Sequence, residues 1–146
     1  MYSIPVALHK MVAAKFPTAC FIHQHSVLIK SMLKEGNVMS VIVYENKIVL
    51  SLVKSGKLQI IQSFHYETTD DAVYHMLNTC HQFGVDELQL QLSGLIEKSS
   101  ALFRLIHNYF LFIEFSEIPV GITTADGFKE LPDHYFSHLF SIHSCV

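Results

Sequence analysis

Charge is scarce in this chain. Lys, Arg, Asp and Glu together account for 16% of its 146 residues, against roughly 25% in an average soluble domain, whereas apolar residues account for 50%. A chain with that balance fills its core and still has apolar surface to cover, which favours an oligomer or a neighbouring protein. The net charge of -3 with histidine neutral, and Lys and Arg scattered along the chain, give no basic field for a phosphate backbone, so nucleic acid is not an expected partner. Long apolar runs are also missing. None approaches the roughly 18 residues that a membrane-spanning helix needs, and Met1 to Phe16, broken by His9-Lys10, lacks the basic start and unbroken apolar centre of a signal peptide. A cytoplasmic protein with no membrane partner is expected. Cysteine is limited to Cys20, Cys80 and Cys145, an odd number, far apart and without a C-x-x-C pair. Reduced thiols are expected, two of them packed as small hydrophobes.

What is present is one domain's worth of strong pattern. Residues 38–44 and 47–53 are two β-rich runs separated by Glu45-Asn46, and a third run, 57–64, follows Ser55-Gly56. These read as a three-stranded meander, because Asn and Gly supply the positive φ of tight hairpins. The first two runs are apolar on successive positions, as strands buried on both faces are; the third mixes polar and apolar residues and fits an outer strand. Thr68-Thr69-Asp70-Asp71 then opens a helix with the stripe Val73, Met76, Leu77, Cys80 and Phe83 ending at Gly84. Leu88, Leu90 and Leu92 alternate with Gln89 and Gln91 in a strand with one polar face. Ser99 caps a helix over 100–110 with Leu102, Leu105, Ile106 and Tyr109 inward, and 111–115 is the last strand. After a loop, Pro132 begins a helix reaching His143, with Phe136, Leu139 and Phe140 as its buried ridge. Residues 1–37 form a leader: a helix on Leu8, Met11, Val12 and Phe16, a short strand over 19–23, and a second helix over 26–35 closed by Gly36. The division is therefore a leader, 1–37, and an α/β domain, 38–146.

A meander followed by helix, strand, helix, strand and helix resembles the ribonuclease H-like fold, which also forms each half of the actin-like ATPases. Several short motifs are similar to those of one family of uncharacterised bacterial proteins with an actin-like ATPase fold, of about twice this length. They are Ile4-Pro5-x-x-Leu8 with Phe16-Pro17, Ser63-Phe64-x-Tyr66 ahead of Asp70-Asp71-x-x-Tyr74, Leu90-x-Leu92-Ser93-Gly94, and Pro132-x-His134-Tyr135-Phe136. The resemblance implies a mixed five-stranded sheet with the first strand central, the meander antiparallel on one side, the later two strands parallel on the other, and helices over the faces. It implies no established activity. This chain would correspond to the second half plus the leader, leaving the leader strand at Phe21, Ile22 and His23 as a bare edge. Unpaired strand edges favour pairing, so a homodimer or a second protein half is expected there.

The chemistry of the relatives is thin in these residues. Ribonuclease H-type nucleases hold two metal ions roughly 4 Å apart with strand carboxylates, yet neither 40–44 nor 88–92 contains an acid. Actin-like ATPases cradle phosphate with an Asp-x-Gly hairpin, whereas this hairpin reads Tyr44-Glu45-Asn46-Lys47. Glu45 and Lys47, with Ser93-Gly94 after the fourth strand, are the residues that would line a nucleotide half-site completed by a partner; a Glu-Asn-Lys turn is ordinarily a solvated hairpin. Leu92-Ser93-Gly94-Leu95 lacks the leading glycine of a nucleophile elbow. Among ten histidines, His134 and His138 at i, i+4 and His23-x-His25 have spacings that suit a metal, but no Glu stands between the helical pair as in zinc peptidases, and no metal or other cofactor is expected. Glu114 and Glu117 flank the last strand's carboxyl end, where α/β sheets bind ligands. The aromatic residues Phe64, Tyr66 and Tyr74, with His65, read as a seam between helix and sheet or an anchor for a partner. Histidines also make assembly sensitive to pH between about 5 and 7. Two readings follow: a non-catalytic protein-interaction module, or a nucleotide-binding half-site. No particular small-molecule ligand follows from the residues.

Overall fold

The computed structural model describes residues 4–19, 21, 23, 25, 26, 29, 36–128 and 130–142. Its centre is β1 (Val38–Val43), buried along its whole length. β1 pairs antiparallel with β2 (Lys47–Lys54), which pairs antiparallel with β3 (Lys57–His65). On its other side β1 runs parallel to β4 (Gln89–Gly94), and β4 parallel to β5 (Phe112–Phe115). The order is β3-β2-β1-β4-β5, the mixed five-stranded arrangement expected from the succession of elements.

The second hairpin turns through Ser55 and Gly56, both at positive φ (50° and 73°), the geometry that matches strand twist. The first does not. Asn46 has no positive φ; the turn closes through the Tyr44 amide donating to the Lys47 carbonyl (2.9 Å), and the Tyr66 amide holds the Asn46 carbonyl (3.1 Å). Tertiary hydrogen bonds here replace the left-handed residue that a free hairpin would need.

One face of the sheet carries Met39, Val41, Val43, Ile48, Leu50, Leu52, Leu90 and Leu92 and holds the main core. Two helices cover it, α2 (Thr69–Phe83) and α3 (Ala101–His107). α2 begins at a reciprocal box: the Thr68 hydroxyl accepts from the Asp71 amide (3.2 Å), and the Asp71 carboxylate accepts from the Thr68 amide (2.9 Å). Those bonds hold the Asp71 carboxyl below its ordinary range. It ends at Gly84 in the left-handed region (φ 59°), where Lys54 of β2 donates to the Phe83 and Gly84 carbonyls. Ala72, Val73, Met76 and Thr79 are its buried residues, with Leu77, Cys80 and Phe83 packed at the margin. Burial pushes the Cys80 thiol up to about 11, so it is protonated at neutral pH; Cys20 and Cys145 lie outside the described residues.

α3 is shorter than its pattern suggested. Ser100 rather than Ser99 is its cap, accepting from the Phe103 amide (3.1 Å). The helix stops at His107, so the turn that follows exposes Tyr109 and puts Phe110 into the core instead.

In the leader, α1 (Val6–Lys15) forms as expected after Pro5. The expected strand over 19–23 is not found at Ala19, Phe21 or His23; Cys20 and Ile22 lie outside the described residues. His25, Ser26 and Ile29 are helical, and the rest of the expected second helix lies outside.

The largest departure is at the carboxyl end. The expected continuous helix from Pro132 is a 3-10 turn, Asp133–Tyr135, then a break at Phe136 (φ -124°, ψ 4°), then one short turn of helix, α4 (Ser137–Phe140); His143 lies outside the described residues. The break reverses the inward face. Ser137 is buried, Leu139 is exposed, and Phe136 and Phe140 meet Phe128 of the preceding loop (5.6 and 5.9 Å) instead of the sheet.

Thr68→Ala should lower stability by about 1 kcal/mol in urea denaturation, with Ser99→Ala, which caps no helix, changing it by less than about 0.5 kcal/mol.

Candidate functional site

The second face of the sheet carries a small apolar cluster, Ile42 and Val49 with Tyr44 and Ile61 against them, and beside it a row of polar residues. Side chains on paired residues share a face, so Ser51, Ser40, Gln91 and Glu114 form one row across β2, β1, β4 and β5. Ser93 lies one pair further along, beside Ile42. Over this face passes residues 133–141, and between the two lies a cleft of about 1130 Å³. Glu114 and Glu117, singled out at the strand's end, both line it, as do Ser93, His134 and His138.

His134 and His138 fasten this roof. The His134 Nε2 donates to the Ile96 carbonyl (2.7 Å) and its ring packs on Phe115 (4.2 Å between centroids). Next to it the Tyr135 hydroxyl donates to Glu97 (2.9 Å), and burial, then that carboxylate, raises the phenol above its ordinary range. His138 Nε2 lies 3.4 Å from the Tyr44 hydroxyl, while its Nδ1 is buried without a hydrogen-bond partner. The two imidazoles thus serve separate contacts. Among the described residues no three His, Cys, Asp or Glu side chains converge as a metal site requires. At the other histidine pair, His23 Nδ1 accepts from the His25 amide (3.1 Å) and the rings meet edge to face; burial, then the His23 charge, holds the His25 imidazole below its usual range.

The four residues of the nucleotide reading come to one end of the sheet. Gly94 pairs with Val43, the last residue before the Tyr44–Lys47 hairpin, and the Leu95 amide donates to the Val43 carbonyl (2.7 Å). Glu45 is exposed, and Lys47 Nζ stands 5.0 Å from the Tyr44 ring centre. Gly94 has a reason of its own: at φ 84° a Cβ there would collide with the Val43 carbonyl oxygen and lie 2.9 Å from its nitrogen. The glycine is required by the close approach of two parallel strands. Tyr66 completes this end, its hydroxyl donating to the Tyr44 carbonyl (2.7 Å), so it and Phe64, stacked on His75 at 4.4 Å, are the seam between helix and sheet. Tyr74 is exposed.

The model of a family described as "Protein of unknown function (DUF3822)" matches residues 1–113. The chain belongs to this family. As a DUF3822 protein it has Ser40, Gln91 and Ser93 of the cleft floor within the matched residues, and Glu114 and the roof, 133–141, beyond them. Its fold is similar to a crystal structure from Bacteroides thetaiotaomicron VPI-5482, described as a protein with actin-like ATPase fold and unknown function, with TM-score 0.64 and 23% identity. The match covers 77% of this chain and 46% of that one, so this DUF3822 chain spans about half the length of its structural neighbour. No curated protein matches its sequence.

The alignment of the polar row across the strands is not visible in the sequence, since Ser40 and Ser51 stand inside apolar runs; the Gln89/Gln91 alternation and Glu114 at the end of the last strand are its visible signals.

Two outcomes follow. Gly94→Ala should destabilise the fold by about 3 kcal/mol, read from thermal or urea unfolding. Burial holds the His138 imidazole below the usual histidine range, so on acidification the unfolded chain takes up a proton before the folded one does. The stability tied to His138 is complete above pH of about 6.5 and is lost as pH falls from there through the folded-state value. His138→Gln should flatten the fall in melting temperature between neutral pH and that range.

Proposed function

We propose that this DUF3822 protein is a protein-interaction module that pairs through its N-terminal segment with a second copy of itself. The observation that carries the reading is α1. Its sequence, VALHKMVAAK, is mostly apolar, and it buries no residue; Val6 is 68% and Met11 64% exposed, and Phe16 beyond its end is 58% exposed. A ten-residue helix is marginal in water without packing, and an apolar helix left uncovered is the kind of surface that partners cover. The interface candidate Phe21 stacks on His9 of α1 (4.9 Å), so the two form one surface, with His23 next along the chain; Ile22 is placed in the same interface from the sequence alone. A low-charge chain supports the same reading. No described helix is long and apolar enough to cross a membrane, and with the reduced-cysteine composition we place the module in the cytoplasm.

A second reading, a nucleotide half-site at Glu45, Lys47, Ser93 and Gly94 completed by the partner, is supported by their gathering at one end of the sheet.

Light scattering of the purified protein should give the mass of a dimer, and Val6→Glu with Met11→Glu should shift it to a monomer that keeps its circular dichroism spectrum. A wild-type monomer at micromolar concentration overturns the reading.

A further inference from the structure

We propose that the cleft between the polar sheet face and residues 133–141 binds a small uncharged molecule carrying several hydroxyl groups, such as a sugar or cyclitol. This does not depend on pairing through α1. The cleft, about 1130 Å³, is somewhat larger than the roughly 300–1,000 Å³ of ordinary ligand pockets, so it has room for a small ligand with water beside it.

Its floor carries hydrogen-bonding groups that face the cleft and have no protein partner among the described residues. Ser40 and Ser93 are 8% and 2% exposed, both line the cleft, and neither hydroxyl has a hydrogen-bond partner among the described residues. Their hydroxyl oxygens are not sealed in the core: the buried side-chain polar atom without a partner among the described residues is His138 Nδ1, so the two serine hydroxyls open into the cleft, where a ligand can meet them. Gln91 stands beside Ser40 in register and Glu114 beside Gln91, so amide and carboxylate continue the row at strand spacing, about 4.8 Å. Their side chains too are without partners among the described residues. The row runs from the buried Ser40 through the half-buried Gln91 to the exposed Glu114 on the edge strand, so it offers hydrogen-bonding groups from the depth of the cleft to its rim.

The chemistry of the row selects the ligand. Ser and Gln side chains each donate and accept, and Glu accepts twice. A hydroxyl answers both roles, whereas a protonated amine only donates and leaves the serine and amide protons unused. Phosphate is disfavoured, because Glu114, Glu117 and Asp133 line the cleft against Lys98, and the lowered His138 adds no charge at neutral pH. Ile118 and Pro119 supply an apolar wall for the C–H face of a ring.

The test is saturation-transfer NMR on the full chain with D-glucose, D-ribose and myo-inositol at millimolar concentration, and with putrescine and magnesium–ATP as counter-probes. At least one polyol should bind saturably, and Ser40→Ala and Glu114→Gln should each weaken it roughly tenfold, the worth of one hydrogen bond. Glu114 is exposed, so its variant tests the site without disturbing the core. Binding by none of the polyols, polyol binding unchanged in both variants, or binding of putrescine or ATP alone overturns the proposal. ATP alone would instead favour the nucleotide reading.

Discussion

β1 is hydrogen-bonded on both sides, antiparallel to β2 and parallel to β4, and that double pairing is what the rest of the structure serves. An antiparallel neighbour needs only a hairpin, but a parallel one needs a crossover long enough to return the chain to the starting end of the sheet. Here α2 and α3 are the crossovers. Crossovers share one hand, and both helices pack on the face of Met39, Val41 and Val43. Close parallel approach also dictates Gly94, the residue that lets β4 lie against the Val43 carbonyl.

The opposite face receives no crossover helix, and its covering falls to a different part of the chain. Residues 133–141 reach it with serine and histidine inward, which matches a floor of Ser40, Gln91 and Ser93 and leaves the phenylalanines outside. A helix presenting Phe136 and Phe140 to that floor would bury hydroxyls against rings without partners, at a cost that a buried polar group does not recover. Polar roof and polar floor are mutually consistent, and the space between them is the cleft. The apolar surplus of the composition lies on α1 and around Phe128, and also at the rim of the cleft, where Leu111 and Val120 are exposed.

Much of the fold was legible because its signals are local. Ser55-Gly56 makes a turn by backbone geometry alone; Thr68 and Asp71 satisfy each other across three residues; the stripe from Val73 to Phe83 needs only helical spacing. The strand order followed from the succession of such elements. The site was less legible. Glu114 and Glu117 drew notice from their place at a strand end, and Gln91 from alternation, but Ser40 and Ser93 carry meaning only beside Gln91 and Ile42, residues about fifty positions away in sequence.

By itself, then, the sequence determined which segments are strands and helices, where most of them begin, and that β1 and β2 are buried on both faces, since each depends on neighbours within a few residues. Tertiary structure alone decided that the first hairpin turns without a left-handed residue, that the last helix breaks at Phe136, that His134 and His138 face inward to separate partners, and that four polar side chains align in one row. Those outcomes depend on register and on docking between distant segments, where the energy of a side chain is set by what lies opposite it.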